Sequence, residues 1–255
     1  MQKEESRFAD STLMEGMISF RAVIRGMENG VSDRQIIRVF YDRTKEKQLG
    51  GHLSYIRAMH YQYGFEIVPA DPGEIDALAT GGSHGGILTL CSDRTIPALT
   101  ADKIKPHGFY VMIEGIEDPY NFGYAMRSLY AAGADGIILS ERNWLSAAGV
   151  VCRSSAGASE RLNVYIATDS FINDFKNKNY KIVCADLKNS VSVYDANLKK
   201  PIFLIVGGEK RGISSALLKE ADQIVRIDYG RDFDAALSAA SAATILAFEI
   251  FRNNK

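Results

Sequence analysis

The feature that most constrains the fold is a stretch in which an apolar strand, a polar turn and a helix follow one another directly, IEGIEDPYNFGYAMRSLYAAGADGIIL at residues 113–139. The turn contains Pro119, and Asn121 stands where a side chain can cap a helix N-terminus. Gly133 predicts the end of the helix, and residues 136–139 predict the next buried strand. This order predicts a β-α-β unit, in which the polar turn lies at the carboxyl edge of a parallel sheet, where ligands bind.

The C-terminal part of the chain continues this alternation. Further strands are predicted at 162–166, 180–185 and 201–206, with helices between them. Strands that alternate with helices indicate a mostly parallel sheet covered on both faces. The predicted fold class is therefore α/β.

The first part of the chain predicts a smaller α/β unit of its own. Helices are predicted at 14–27, 46–63 and 71–79, and strands at 35–41, 65–68 and 87–91. The polar, proline-containing sequence SDRTIPALTADKIK follows at 92–105. We therefore predict an N-terminal α/β domain at 1–95, a linker at 96–106 and a larger domain at 107–255.

Charge has to be considered by segment, because the formal net charge of the 255 residues is only -1. Residues 21–57 are locally basic and carry tyrosines and histidines among the charged residues. This mixture of residue types is typical of RNA-binding surfaces. The candidate substrate contacts are Arg21, Arg25, Arg38 and His84. The alternative is a solvated helix face with its aromatic residues in the core, and a structural role for the histidine.

Cysteine usage and hydropathy restrict the class of protein further. Cys91, Cys152 and Cys184 are odd in number and have no CxxC spacing, so neither a disulfide framework nor a zinc site is predicted. The polar start and the absence of a long uninterrupted apolar run predict no secretion signal and no membrane span. We expect a cytoplasmic protein without a metal.

Two further stretches are informative. FLIVGGEKRGIS at 203–214 places a glycine-rich loop after a buried strand, but Ile213 stands where a P-loop needs lysine, and GxGxxG is absent. A nucleotide triphosphatase is therefore disfavoured, and a dinucleotide site has no specific support. The stretch 225–251 ends in a long helix rich in alanine and serine, which indicates either close packing within the chain or a dimer interface.

Several of these segments together resemble the three motifs of the SpoU/TrmH family of RNA 2′-O-ribose methyltransferases. The segments that carry the resemblance are NFGYAMR with Gly133, SSAGASERLNV at 154–164, GGEKRG at 207–212, and the closing loop and helix. The order and spacing of the motifs agree as well. The sequence EGMISFRAVIRGMENG near the start resembles, more weakly, the ribosomal-protein-like RNA-binding domain that often precedes this catalytic domain.

The resemblance implies a fold, a cofactor and an assembly. It implies a C-terminal domain with a deep trefoil knot, an exception to the rule that chains are unknotted. It also implies S-adenosylmethionine bound in the knot, RNA as substrate, and a homodimer formed through the C-terminal domain. The cofactor contacts implied by matching motif positions are Gly207, Ile227, Leu237 and Ser238.

The resemblance also assigns catalytic roles to three residues. Arg127 would activate the ribose 2′-hydroxyl, Asn121 would orient the substrate or the arginine, and Glu209 would order the active-site loops. Because a guanidinium is hard to deprotonate, clamping of a phosphate and stabilisation of the developing alkoxide remain open as an alternative role for Arg127. The reaction requires no metal.

The third motif departs from the family pattern. Ala236, Leu237 and Ser238 stand where the family has Ser-Leu-Asn. Two alternatives to a methyltransferase follow from the residues. One is an RNA-binding or assembly protein that keeps the fold without catalysis, and the other is a small-molecule α/β enzyme, which would leave the basic N-terminal unit without a role.

Overall fold

The computed structural model describes residues 11–140, 147–208 and 210–255. They form two compact units. The first takes its described residues from 1–95 and 143–161, and the second from 96–142 and 162–255.

Strands and helices follow one another through both units. Up to residue 92 they are β1 (Ser11–Glu15), α1 (Gly16–Glu28), β2 (Ile36–Asp42), α2 (Gly50–Tyr63), β3 (Glu66–Ala70), α3 (Pro72–Leu78) and β4 (Ile87–Ser92). The later ones are β5 (Phe109–Glu114), α4 (Pro119–Ala131), β6 (Gly136–Leu139), α5 (Ala148–Ser154), β7 (Val164–Ile166), α6 (Phe171–Asn177), β8 (Lys181–Ala185), β9 (Val191–Ser192), β10 (Ile202–Gly207), α7 (Ser215–Lys219), β11 (Gln223–Arg226) and α8 (Ala239–Asn253).

The first unit is built on a mixed sheet with the strand order β1-β4-β2-β3. Its core lies against α1 and α2, where Phe20 is fully buried and meets the ring of Phe65 edge-on, with the centroids 5.9 Å apart. The strands and helices predicted in this region are present, with boundaries shifted by a few residues. Strand β1 was not predicted, because it runs directly into α1 through Gly16 at φ +80°, where helical and strand patterns overlap.

Residues 147–161 belong to the first unit, although the sequence placed them in the C-terminal domain. The Glu160 carboxylate is buried and accepts a hydrogen bond from Nε of Arg34 at 2.9 Å. Arg153 forms an ion pair with the buried Glu15. The compact unit therefore differs from the contiguous domain that was predicted, because these partners lie more than 100 residues apart and leave no local pattern.

The second unit contains a sheet of seven strands in the order β7-β6-β5-β10-β8-β11-β9, and the described strand pairs are all parallel. Its core includes a stacked pair, Phe175 and Phe203, with ring centroids 4.2 Å apart. The strand β10 lies between β5 and β8, so residues far apart in sequence meet at one edge. The predicted mostly parallel α/β sheet is present.

Residues 96–106 are part of this second unit. Leu99 and Ile104 are both 1% exposed and pack in its core, and the backbone N–H of Leu99 donates to the carbonyl of Ile166 at 2.8 Å. The polar composition of this segment predicted a linker, but its two large apolar side chains give it a packed position instead. Among the described residues, none of the helices combines the length and the apolar character that a bilayer crossing requires.

Candidate active site

A cavity of about 430 Å³ lies in the second unit at the carboxyl ends of three neighbouring parallel strands, β8, β10 and β11. Residues 227–238, which we call the rim segment, and the first turns of α8 complete its wall. The lining residues include Ala185, Asp186, Leu187, Val206, Gly207, Gly208, Gly212, Ile227, Tyr229, Ala236, Leu237, Ser238, Ala242 and Leu246. Both its position and its size suit a small-molecule ligand.

Two adjacent glycines at the end of β10 allow backbone segments to pass close to one another. A Cβ atom added to Gly207 would lie 2.6 Å from the carbonyl carbon of Gly212. One added to Gly208 would lie 2.5 Å from the carbonyl carbon of Gly115. The N–H of Gly208 also donates to the carbonyl of Glu114 at 2.6 Å. Packing alone therefore requires glycine at both positions.

The structure brings all four predicted cofactor contacts to this one cavity. Gly207 comes from the end of β10, Ile227 from the end of β11, and Leu237 and Ser238 from the rim segment before α8. Ser238 caps α8, because its Oγ accepts a hydrogen bond from the N–H of Ser241 at 3.1 Å. The Leu237 N–H donates to the Tyr229 hydroxyl at 3.2 Å.

Helix α4 carries two of the predicted catalytic residues. Asn121 was predicted to be its N-cap, which is wrong: the N-cap is Asp118, whose Oδ1 accepts from the Asn121 N–H at 2.7 Å. Pro119 is the first helical residue, so the helix begins earlier than the polar run suggested. Asn121 is half-buried in the first turn.

Arg127 is exposed, and its guanidinium forms no hydrogen bond or ion pair with the residues that the structure describes. Neither Asn121 nor Arg127 belongs to the described wall of the cavity. Helix α4 packs along α8, whose first turns do line it. Glu209, the third predicted catalytic residue, lies outside the described residues.

The loop after β10 is fastened to the loop after β5 by contacts that sequence reasoning missed. Oε2 of Glu114 accepts a hydrogen bond from the Ser214 N–H at 2.7 Å, and Lys210 forms an ion pair with Glu117. Their only sequence signal is that Glu114 ends a buried strand. The pair of strand ends is thereby held in place at the edge of the sheet where the cavity lies.

The cavity also includes residues that the motifs did not indicate. Asp186 and Leu187 follow β8, and Tyr229 lies on the rim segment. Nearby, a hydrogen bond from Ser192 and the ion pair with Arg226 at 2.8 Å lower the pKa of Asp228. Asp228 is therefore an ionised, engaged carboxylate and a poor general base. The signal that could have found Asp186 and Leu187 is their place at the carboxyl end of a parallel strand.

The predicted RNA contacts lie in the first unit. Arg21 and Arg25 are on the exposed face of α1, and the guanidinium of Arg21 lies 5.0 Å from the centroid of the Tyr55 ring. Arg38 is half-buried and forms an ion pair with Glu66 at 2.6 Å. His84 is buried: its Nδ1 accepts from the Gly86 N–H at 3.1 Å, and its Nε2 lies 3.2 Å from Asp76 Oδ1. Both nitrogens of this ring are thus engaged within the protein.

The model of the SpoU rRNA Methylase family matches residues 108–248, more than half of the chain. The chain belongs to the SpoU family. An uncharacterized tRNA/rRNA methyltransferase of Mycobacterium ulcerans is 29% identical to it over 198 residues, which are 75% of this chain and 64% of that protein. YacO of Bacillus subtilis, assigned to the TrmH family of tRNA/rRNA methyltransferases, is 23% identical over 92% of this chain and 94% of its own. This SpoU family chain thus spans somewhat less than two thirds of the mycobacterial relative.

Solved structures of SpoU methyltransferases share the fold. An rRNA methyltransferase from Sinorhizobium meliloti, determined with AdoMet bound, superposes with a TM-score of 0.76 at 23% identity over 98% of this chain and 90% of that one. AviRb from Streptomyces viridochromogenes, in complex with the cofactor AdoMet, gives 0.74 at 20% identity over 99% and 93%. Both the predicted family and the predicted α/β class with a mostly parallel sheet are therefore confirmed.

Proposed function

We propose that this protein transfers the methyl group of S-adenosylmethionine to a ribose 2′-hydroxyl of ribosomal or transfer RNA. S-adenosylmethionine is the cofactor of the family, and two of the similar structures contain it. The observation that carries the proposal is that four residues chosen from the GGEKRG motif and the closing loop, Gly207, Ile227, Leu237 and Ser238, line a single cavity at the carboxyl edge of a parallel sheet.

The residues of the cavity fit such a cofactor. Ile227, Leu237 and Leu246 give it an apolar wall, and Gly207, Gly208 and Gly212 leave the backbone beside it uncovered by side chains. When bound, S-adenosylmethionine would supply a methyl group from its sulfonium sulfur, which would leave as a neutral thioether, and the proton of the ribose hydroxyl would pass to solvent. The protein's own task is then to hold the ribose oxygen in line with that methyl group. Positioning of this kind can lower the activation barrier by about 7–11 kcal/mol.

Arg127 is proposed to bind an RNA phosphate and to stabilise the alkoxide that develops on the ribose. Its exposure supports this role, since a ligand can reach an exposed guanidinium. A guanidinium is hard to deprotonate, which favours a clamp over a general base. Orientation by Asn121 and loop ordering by Glu209 complete the proposal for the catalytic residues.

The first unit is proposed to bind RNA. Arg21 and Arg25 on α1 and Arg38 on β2 offer cations for phosphates, which fix the position of an RNA without reading its sequence. His84 was the fourth candidate contact. Its burial and its contacts with Gly86 and Asp76 favour a structural role in the turn before β4.

A homodimer and a trefoil knot in the C-terminal domain are also proposed. Exposed aromatic side chains on α4 and α8, the two helices that pack together, support a dimer interface: Tyr120, Tyr124, Phe248 and Phe251. The knot is proposed from the match to the SpoU family over residues 108–248. A cytoplasmic location stays a prediction from the cysteine usage of the sequence.

The second candidate function is an RNA-binding or assembly protein without catalytic activity. One observation favours it: the Oγ of Ser238 is used as the cap of α8, and Ala236 has no polar side chain to offer. The hydrogen bonds that the family's serine and asparagine would give to a ligand are then missing from this wall of the cavity.

Two neighbouring alanines provide a matched test of the proposed function. Ala236 lines the cavity and Ala235 does not, although both are exposed on the rim segment. We expect calorimetry to show micromolar binding of S-adenosylmethionine to the unaltered protein and to Ala235→Trp, and at least about tenfold weaker binding to Ala236→Trp, because the indole occupies the cavity.

The same preparations should transfer a tritiated methyl group to bulk RNA from a strain in which the gene is disrupted, and the product should be a 2′-O-methylated nucleoside. Absence of cofactor binding at millimolar concentration, together with retained RNA binding, would favour the second candidate. A methyl group found on a base would contradict the ribose specificity.

A further inference from the structure

Two aromatic side chains stand together and exposed on the rim segment. Tyr229 is 37% exposed and Phe233 is 58% exposed, and their ring centroids lie 6.0 Å apart with an angle of 58° between the planes. Tyr229 also lines the candidate cofactor cavity. The pair is therefore continuous with the cavity, on the side that solvent reaches.

The position of Tyr229 is set by the contacts of its segment. The Tyr229 hydroxyl accepts a hydrogen bond from the Leu237 N–H at 3.2 Å, which ties the ring to the end of the rim segment next to α8. At the other end, Arg226 donates through Nη1 to the Ser190 carbonyl at 2.7 Å and through Nε to Asp228 at 2.8 Å. The Tyr229 ring is thus held in place before any ligand arrives, with Phe233 against it, and this lowers the entropic cost of binding.

We propose that Tyr229 and Phe233 form a platform on which an unpaired base of the substrate RNA stacks, holding the nucleotide to be methylated at the cavity. This inference rests on the proposed function. A ribose that is to meet the contents of the cavity must lie at its opening, so its base lies next to the rim segment. Single-stranded RNA is commonly bound by stacking of its bases on aromatic side chains.

The charges of the rim segment favour a base over the phosphate backbone as the occupant. Asp228 is paired with Arg226, and the remaining Asp232 and Asp234 outnumber Arg231, so this segment does not favour a phosphate track. Carboxylates can accept hydrogen bonds from the amino groups of bases. The platform therefore complements Arg127 of the same unit, because it contacts the base and not a phosphate.

The test compares Phe233→Ala with Phe233→Trp, which keeps an aromatic face. The control is Tyr194→Ala, which removes another tyrosine of the second unit that is 54% exposed and does not line the described cavity. The substrate is bulk RNA from a strain in which the gene is disrupted. We expect Phe233→Ala to lower kcat/KM for RNA about tenfold, in line with the loss of one stacked base. Phe233→Trp and Tyr194→Ala should stay within about threefold of the unaltered protein, and the affinity for S-adenosylmethionine should change in none of them.

Several outcomes would overturn the platform. The first is an unchanged kcat/KM for RNA in Phe233→Ala. The second is a loss of cofactor affinity as large as the loss of kcat/KM, which would mean that Phe233 only supports the cavity. The third is a change in sedimentation, which would mean that the pair contacts a second copy of the chain. If the unaltered protein transfers no methyl group, its RNA affinity is measured by filter binding. A roughly tenfold loss of RNA affinity in Phe233→Ala would then support the platform, although the proposed catalysis has failed. An unchanged RNA affinity would overturn the platform as well.

Discussion

Arg127 is the residue at which the structure bears most directly on the mechanism. It lies on an exposed face of α4 without an ion pair to a described residue, so removing its side chain breaks no contact that the structure shows. An effect of its substitution on the reaction can therefore be separated from an effect on the fold.

We predict that Arg127→Ala lowers kcat at least about 100-fold, because the variant loses a charge aimed at the developing alkoxide. The melting temperature and the affinity for S-adenosylmethionine should not change. Arg127→Lys should recover part of the rate if the side chain clamps a phosphate, since the charge is kept. Methyl transfer to RNA and calorimetry provide the measurements.

Lys219→Ala is the matched control for Arg127, because it removes an exposed basic side chain from the same unit, at the last position of α7. It should keep full activity. Full activity in Arg127→Ala as well would remove this residue from the mechanism while leaving the cofactor cavity untouched.

The segment 147–161 shows how far an element can depart from what its sequence suggests. Its alanines, glycines and serines carry a motif of the methyltransferase family, yet it packs in the first unit through two ion pairs with buried carboxylates. The pair of Arg34 and Glu160 has side chains that are 2% and 3% exposed. Breaking such a pair leaves an unpaired buried charge, which is costly.

We predict that Glu160→Gln lowers the free energy of unfolding of the first unit by about 3 kcal/mol, because Arg34 stays buried without its counter-charge. Glu66→Gln is the control, because it breaks an exposed ion pair in which the Glu66 side chain is 62% exposed and the Arg38 side chain 37% exposed. This variant should change the free energy of unfolding by less than about 1 kcal/mol. Urea denaturation and hydrogen exchange at 147–161 measure both variants. Equal losses of unfolding free energy in the two variants would show that the buried ion pair contributes no more to stability than the exposed one.

At the scale of the whole molecule, the exposed aromatic side chains of α8 and α4 bear on the assembly of the protein. Phe248 and Phe251 project from α8 with 43% and 45% exposure, and their ring centroids lie 6.4 Å apart. Helix α8 packs on α4, which carries the exposed Tyr124. A two-fold axis through such a surface would bury the same residues in both copies.

We predict that Phe248→Glu weakens self-association of the protein at least about 100-fold, because a symmetric interface would bury the new charge twice. Sedimentation equilibrium at several concentrations measures the change. Tyr61→Glu is the control, since Tyr61 is 87% exposed on α2 of the first unit. Monomers in the unaltered protein, or dimers in Phe248→Glu, would contradict an interface on this surface.

The sequence by itself determined the α/β class, most strand and helix positions and the family, because each depends on local patterns: hydrophobic periodicity, glycines at loop ends and short motifs in a fixed order. It also selected the residues Gly207, Ile227, Leu237 and Ser238 one motif at a time. It misplaced the cap of α4, since both Asp118 and Asn121 can serve as caps and only the backbone conformation distinguishes them.

Only the tertiary structure decided which of these residues meet. The insertion of β10 between β5 and β8 brings the ends of three distant strands to one cavity. It adds Asp186 and Leu187, which no motif contains, and Tyr229, which the motif match did not select. Tertiary packing likewise placed residues 147–161 in the first unit and 96–106 in the core of the second. Both depend on contacts between side chains far apart in sequence, which local periodicity does not record.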